Sequence, residues 1–361
     1  MTVNLPVARP THLHRPLAVL ATLTGVLAVV LLPAMALDDR QLLGVSVWLK
    51  PWKFAVSIAL YSLTVAWMVT LVRRGARLAR AAATGAAVAL GVEIAVITIQ
   101  AARGVPSHFN TRTSLDSMLF SVMGASIILV WVATLLLALL LVGQRTDDQV
   151  LAAGLRWGLG VSLLGMILAV LMINPVNQWL LRLGQYPQAV LDGGHTVGAP
   201  DGGPGLPVTN WSLQAGDLRA PHFVGIHALQ LLPLLAWLLG RRARWRGSGR
   251  QVGLVHVAGV AYLGLVVLLG WQALRGEPVT RPGAATLAAA GVLLLAGVGA
   301  AVAVMMGAGH WGASPPARAP GPGAPEPLEP APAAPTGPRS LHGQSAATAQ
   351  SPQADRPPPD A

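Results

Sequence analysis

The chain of 361 residues contains no cysteine. Disulfides, thiolate chemistry and iron–sulfur ligation are thereby excluded, although the absence does not choose a compartment. Charge is scarce as well: 11% of residues are Asp, Glu, Lys or Arg against 53% hydrophobic, and the mean hydropathy is +0.57. A soluble globular domain carries about 25% charged residues, so this is the composition of a membrane protein. No HExxH, Walker loop or GxSxG occurs, which removes the ready-made metalloprotease, P-loop and serine-hydrolase sites. Internal repeats are absent too, and the two halves lack the paired interrupted segments of an inverted-repeat transporter.

What the chain does have is long apolar windows. A helix crosses a hydrocarbon core roughly 30 Å thick in about 20 residues. Eight windows meet that length, at about 17–37, 54–72, 81–101, 117–142, 150–173, 221–239, 252–271 and 284–307. Each is continuously apolar rather than alternating, which selects helices over a membrane barrel. The expected fold is all-α: a polytopic transmembrane bundle of about eight helices, spanning 17–307 after a short N-terminus, 1–16.

Basic residues in short loops mark the cytoplasmic side. Two loops decide the orientation: Arg73, Arg74, Arg77 and Arg80 between helices two and three, and Arg241, Arg242, Arg244, Arg246 and Arg250 between six and seven. Eight crossings make both cytoplasmic together with the N- and C-termini, and send the loop 174–220 to the opposite face. The net charge of +11 is then an orientation signal, not a nucleic-acid footprint. Arg9, Arg15, the first apolar run and Ala34-Met35-Ala36 also resemble a signal peptide, but the run is long for one and a retained helix is expected. From Ala313 onward the chain holds 14 of its 29 prolines and almost no large apolar residue. The tail 308–361 is therefore expected to be disordered.

Polar residues gather on the side opposite the arginine loops. WLKPWKF at 48–54 brings Lys53, the segment 100–116 brings Gln100, Arg103 and His108, and the loop 174–220 brings Asp192, His195, Asp201, Asn210, Asp217 and Arg219. Four of nine histidines, His108, His195, His222 and His227, fall on this face. Within the membrane Glu93 is the most expensive residue, and Gln100 lies on its helical face. At about 1.5 Å per residue Glu93 lies some 12 Å below the end of its helix and His227 roughly 9 Å below the start of its own, so contact is expected. Gln230 shares the face of His227, whereas His222, five residues away, points about 140° around the axis. Lys53, Ser57, Tyr61 and Thr64 form one stripe, read chiefly as helix packing. Arg156 is expected to snorkel and His256 to pack.

The segments SHFN at 107–110, HTVGAPDGGPGLP at 195–207 and GDLRAPHFVGIHALQ at 216–230 resemble those of bacterial multi-pass integral membrane proteins with no assigned function. The resemblance covers the helical region and implies a bacterial inner-membrane location, but no mechanism. The excess of arginine over lysine, 23 to 2, suits a GC-rich bacterial genome.

Three readings stay open. One is a sensor or small-ligand-binding membrane protein, its outward-facing pocket formed by Lys53, Glu93, Gln100, Arg103, His108, Asp217, Arg219, His222, His227 and Gln230 and taking a small molecule or a lipid. A second is a metal-assisted hydrolase of lipid or envelope substrates, with a divalent metal such as zinc on two or three of His108, His195, His222 and His227 together with Asp192 or Asp217, and Glu93 or another carboxylate as general base. The third is a proton-coupled permease, in which Glu93 carries the proton. A bis-histidine haem on His227 and His256 is badly placed, since the two lie near opposite faces.

The sidedness is directly testable. Single cysteines placed at Arg77, His195 and Arg244 of this cysteine-free chain should react with an impermeant reagent in intact cells at 195 alone. Labelling at 77 or 244 and not at 195 would invert the topology.

Overall fold

The computed structural model of the protein describes residues 13–144, 146–173, 193–241 and 249–307. Among them are eight helices long and apolar enough to cross a membrane: α1 (Arg15–Leu37), α2 (Leu49–Thr70), α3 (Ala76–Ala102), α4 (Ser114–Val142), α5 (Gln149–Leu168), α6 (Arg219–Gly240), α7 (Arg250–Leu274) and α8 (Ala284–Met305). A 3-10 turn, Ala169–Met172, continues α5. The protein is thus a multi-pass membrane protein with an all-helical fold. The expected tail, Asp192, Arg242, Arg244 and Arg246 lie outside the described residues.

The helix starts follow from local chemistry. Thr113 caps α4 by accepting from the Asp116 amide at 3.1 Å, and Asp148 caps α5 by accepting from the Leu151 amide at 2.9 Å. Pro51 and Pro221 sit in the first turns of α2 and α6, where a missing N–H costs nothing. As a result α2 begins five residues before its apolar window. WLKPWKF is the helix's first turns, and both lysines ride on α2.

Two ends of the bundle can be told apart by what bonds there. At one, Arg40 donates to the Ala102 carbonyl at 2.9 Å, joining the 38–48 turn to the end of α3, and Lys53 donates to the Thr209 carbonyl at 2.9 Å, joining the start of α2 to the loop before α6. This is the loop end. At the other, the arginine end, Gln144 accepts from the Arg73 amide at 2.6 Å, and Gln251 donates to the Leu239 carbonyl at 2.8 Å.

The main core cluster runs through α1 to α6, with Leu17, Ala55, Met68, Ala86, Leu159 and Leu229 at its centre. α1 lies along α2 and buries Leu17, Leu20, Thr24, Ala28 and Leu31. α8 packs chiefly on α7 and leaves Val292, Leu294 and Leu295 exposed, as suits a helix facing lipid.

The closest helix pair is α5 with α6. Lipid tails are as apolar as leucine, so helices gain by letting backbones approach, and small residues mark the seam. Here Gly165 and Gly225 touch directly: a Cβ on Gly165 would stand 2.5 Å from the Gly225 carbonyl carbon. About two turns away the Pro233 ring seats against Gly158, which gives this interior proline its room.

Gly165→Val should therefore lower thermal stability in detergent by roughly 1–3 kcal/mol, the usual cost of overpacking. Gly160→Ala, where an added Cβ meets nothing within 4 Å, should be neutral or stabilising. Equal effects of the two would mean that the α5–α6 seam is not rigid.

Candidate functional site

Four polar groupings crowd the loop end. The deepest centres on Glu93 of α3, 1% exposed. The loop 103–113 folds back toward it. Ser107 and Asn110 are buried, Phe109 adopts a left-handed backbone (φ 58°), and the hairpin delivers His108 to Glu93, with Nε2 3.5 Å from Oε1. That separation is long for a hydrogen bond. The imidazole is packed among Phe54, Phe109 and Phe120, with ring centroids 5.7, 6.1 and 6.3 Å away, and its Nδ1 lies 3.1 Å from the Ser107 hydroxyl. Burial, followed by the nearby Lys50 ammonium, holds His108 well below its ordinary value, so the ring is neutral at pH 7. Neither oxygen of Glu93 has a hydrogen-bond partner among the described residues.

The second grouping lies about two turns along α3 from Glu93. Gln100, fully buried, donates to Asp116 Oδ1 at 2.9 Å, and Arg103 reaches both the same oxygen at 2.8 Å and the Gln100 amide oxygen. Thr113 donates to Asp116 Oδ2 at 2.8 Å. Gln100 is thus committed to the α3–α4 junction and not to Glu93, although the two share a helical face.

The loop before α6 supplies the third and fourth. Too rich in glycine and proline for a long regular element, it nevertheless contains a two-residue antiparallel pair, Thr196–Val197 (β1) with Gly216–Asp217 (β2). Asp201 receives the amides of His195 (3.2 Å) and Thr196 (2.9 Å) and pairs with His195 Nδ1 at 2.9 Å. Burial opposes its charge, yet these donors and the His195 ring bring the carboxyl down to about 2. Asp217, fully buried, accepts from the Ser212 amide at 2.8 Å and the Arg219 amide at 3.0 Å, and takes the Arg219 guanidinium on both oxygens. Arg219 also donates to the Asn210 carbonyl. Only glycine fits at Gly216, since a Cβ there would lie 2.0 Å from the Ala273 carbonyl oxygen of α7.

The remaining sequence candidates are placed as follows. His222 donates Nδ1–H to the Gly165 carbonyl at 2.7 Å and lies within electrostatic range of His108. His227 and Gln230 are 3.4 Å apart on α6. No bond among the described residues joins them to Glu93, so the expected facing of the two pairs is replaced by Glu93 with His108. Among the described residues no three His, Asp or Glu side chains are grouped to hold a metal ion. Among the described residues His108, His195, His222 and His227 are each engaged separately and Asp217 is taken up by Arg219, so no ligand set for zinc is assembled there. On the α2 stripe Tyr61 meets Thr134 across helices at 2.7 Å, as packing. Arg156 is exposed, and His256 accepts from Trp157 at 2.9 Å.

Sequence reasoning passes over Lys50, Asp116 and the Asp201–His195 pair as a unit. Lys50, one turn from Lys53, lies in electrostatic range of Glu93 and Asp201. The spacing Thr113-x-x-Asp116, a capping pattern, is the signal that could have found Asp116. Comparison of the chain with family models, curated proteins and solved structures returns no match.

Asp201 gives a test with a definite sign. Its folded value lies below the roughly 3.9 of an unfolded aspartate. Its contribution is therefore complete above about pH 4 and is lost as pH falls through about 2. Asp201→Asn should speed hydrogen exchange of the His195 and Thr196 amides at pH 7 by at least about tenfold, the scale of charge-assisted bonds. Unchanged exchange would show that Asp201 does not order this loop.

Proposed function

We propose that the protein is a bacterial inner-membrane protein that takes a small polar ligand into the loop end of its bundle, with Glu93 as the group the ligand meets. In support, basic residues in short loops favour the cytoplasmic side, and on that rule the loop end faces outward and both termini inward. The observation that carries the reading is the Glu93 carboxyl, buried with both oxygens unpartnered beside a neutral imidazole. A buried carboxyl ordinarily finds donors, because leaving it unpaired costs about 1–3 kcal/mol or more. Where a fold retains such a cost, binding is the usual return. Lys50 lies within electrostatic range of Glu93, and His195 within range of His108, which suits a ligand with polar groups at more than one point.

An acid–base enzyme at this site is the second reading. Asp201 orients His195 through Nδ1, which leaves Nε2 free of partners among the described residues, the arrangement of a general base. Consumption of the ligand, rather than binding alone, distinguishes the two.

The test separates binding from structure. Thermal shifts of the detergent-purified protein against small amines, polyols, carboxylates and inorganic phosphate should find a stabilising compound whose effect disappears in Glu93→Gln. Glu93→Met, by removing an unsatisfied group, should raise the melting temperature of the unliganded protein by roughly 2–4 °C per kcal/mol regained. A fall in melting temperature for Glu93→Met, or stabilisation that persists in Glu93→Gln, would overturn the assignment.

A further inference from the structure

At the arginine end, well apart from Glu93, a cleft of about 630 Å³ opens between the start of α1, the end of α2 and the first turns of α3. Arg15 and Arg80 supply its charge, Thr84 a hydroxyl, and Leu13, Pro16 and Val69 much of its apolar wall. No acidic residue lines it. Among the described residues neither guanidinium belongs to an ion pair. Both are exposed, in contrast to Arg103 and Arg219 at the loop end, whose carboxylate partners are buried. The Thr84 hydroxyl donates to the Arg80 carbonyl at 2.9 Å, so at 3.3 Å from His14 Nε2 it acts as acceptor. The His14 Nδ1 that remains is buried without a partner.

We propose that this cleft binds the headgroup of an anionic phospholipid, with its phosphate between Arg15 and Arg80 and its glycerol and upper acyl carbons against Leu13, Pro16 and Val69. Three features support this occupant. Guanidinium forks match phosphate oxygens in a bidentate way. The cleft lies at the ends of three membrane helices, the level at which the polar headgroup region meets the hydrocarbon core. Its lining joins two arginines to the apolar Leu13, Pro16, Val69 and Ala81, which suits a headgroup still attached to its chains; a free phosphate would leave the apolar wall without use. The arginine loops place this end at the cytoplasmic leaflet, where anionic lipids draw basic residues.

The experiment uses the full chain in a neutral detergent, titrated with phosphatidylglycerol, with phosphatidylcholine of the same acyl chains, and with inorganic phosphate, and read by native mass spectrometry. Phosphatidylglycerol should be retained with a preference on the order of tenfold over phosphatidylcholine, the scale expected from two basic contacts at an anionic surface. Arg15→Gln with Arg80→Gln should bring retention down to the phosphatidylcholine level. Arg80→Gln alone, a single exposed replacement that spares folding, should lose about half of the preference on a logarithmic scale. Arg77→Gln, one turn away and outside the cleft, should change nothing. Equal retention of the two lipids, or a preference surviving in the double variant, overturns the proposal. So does displacement of the lipid by equimolar inorganic phosphate, which would assign the cleft to a soluble anion.

Discussion

A carboxylate withdrawn from water must find donors, and two carboxyl groups at the loop end answer that demand in opposite ways. Asp217 collects two backbone amides and a guanidinium fork, and by doing so fixes the start of α6, closes the loop on itself and spends Arg219. Glu93, equally buried, collects none. The surrounding packing tolerates this because the rest of the end is over-determined: Gln100, Arg103, Thr113 and Asp116 lock α3 to α4, and Lys53 locks α2 to the loop. The unpaired group is held in place by the paired ones.

Much of the bundle was legible in the sequence. Hydropathy locates all eight helices, since in lipid the hydrocarbon thickness sets a minimum length and the backbone must bond within each segment. The largest discrepancies are at α2 and α3, each beginning five residues early, because Lys50, Lys53, Arg77 and Arg80 lower the local hydropathy without breaking the helix.

The site was less legible. The cost of a charge within the membrane draws attention to Glu93, and the loop assignment sends Lys53, Arg103, His108 and Arg219 to its end of the molecule, while helical spacing adds Gln100 and the face of His227. That spacing fails for Gln100 and His227, because periodicity reports which residues share a face and is silent about what approaches that face. The inward fold of loop 103–113 depends on a left-handed backbone at Phe109 and on aromatic contacts made by residues from three segments. No window of sequence contains that information. The same applies to Asp201, whose role depends on a histidine six residues away being turned back upon it.

One detail of the loop has an evolutionary consequence. Lys53 and Arg219 grip it through the main-chain carbonyls of Thr209 and Asn210, not through those residues' side chains, and the Thr209 hydroxyl is buried with no partner of its own. The clamp is thus indifferent to side-chain identity at Thr209. Drift at that position would leave the closure intact, whereas a change in chain length between Asp201 and Asp217 would move both carbonyls out of reach. Divergent descendants of this chain should keep the loop's spacing more faithfully than its letters.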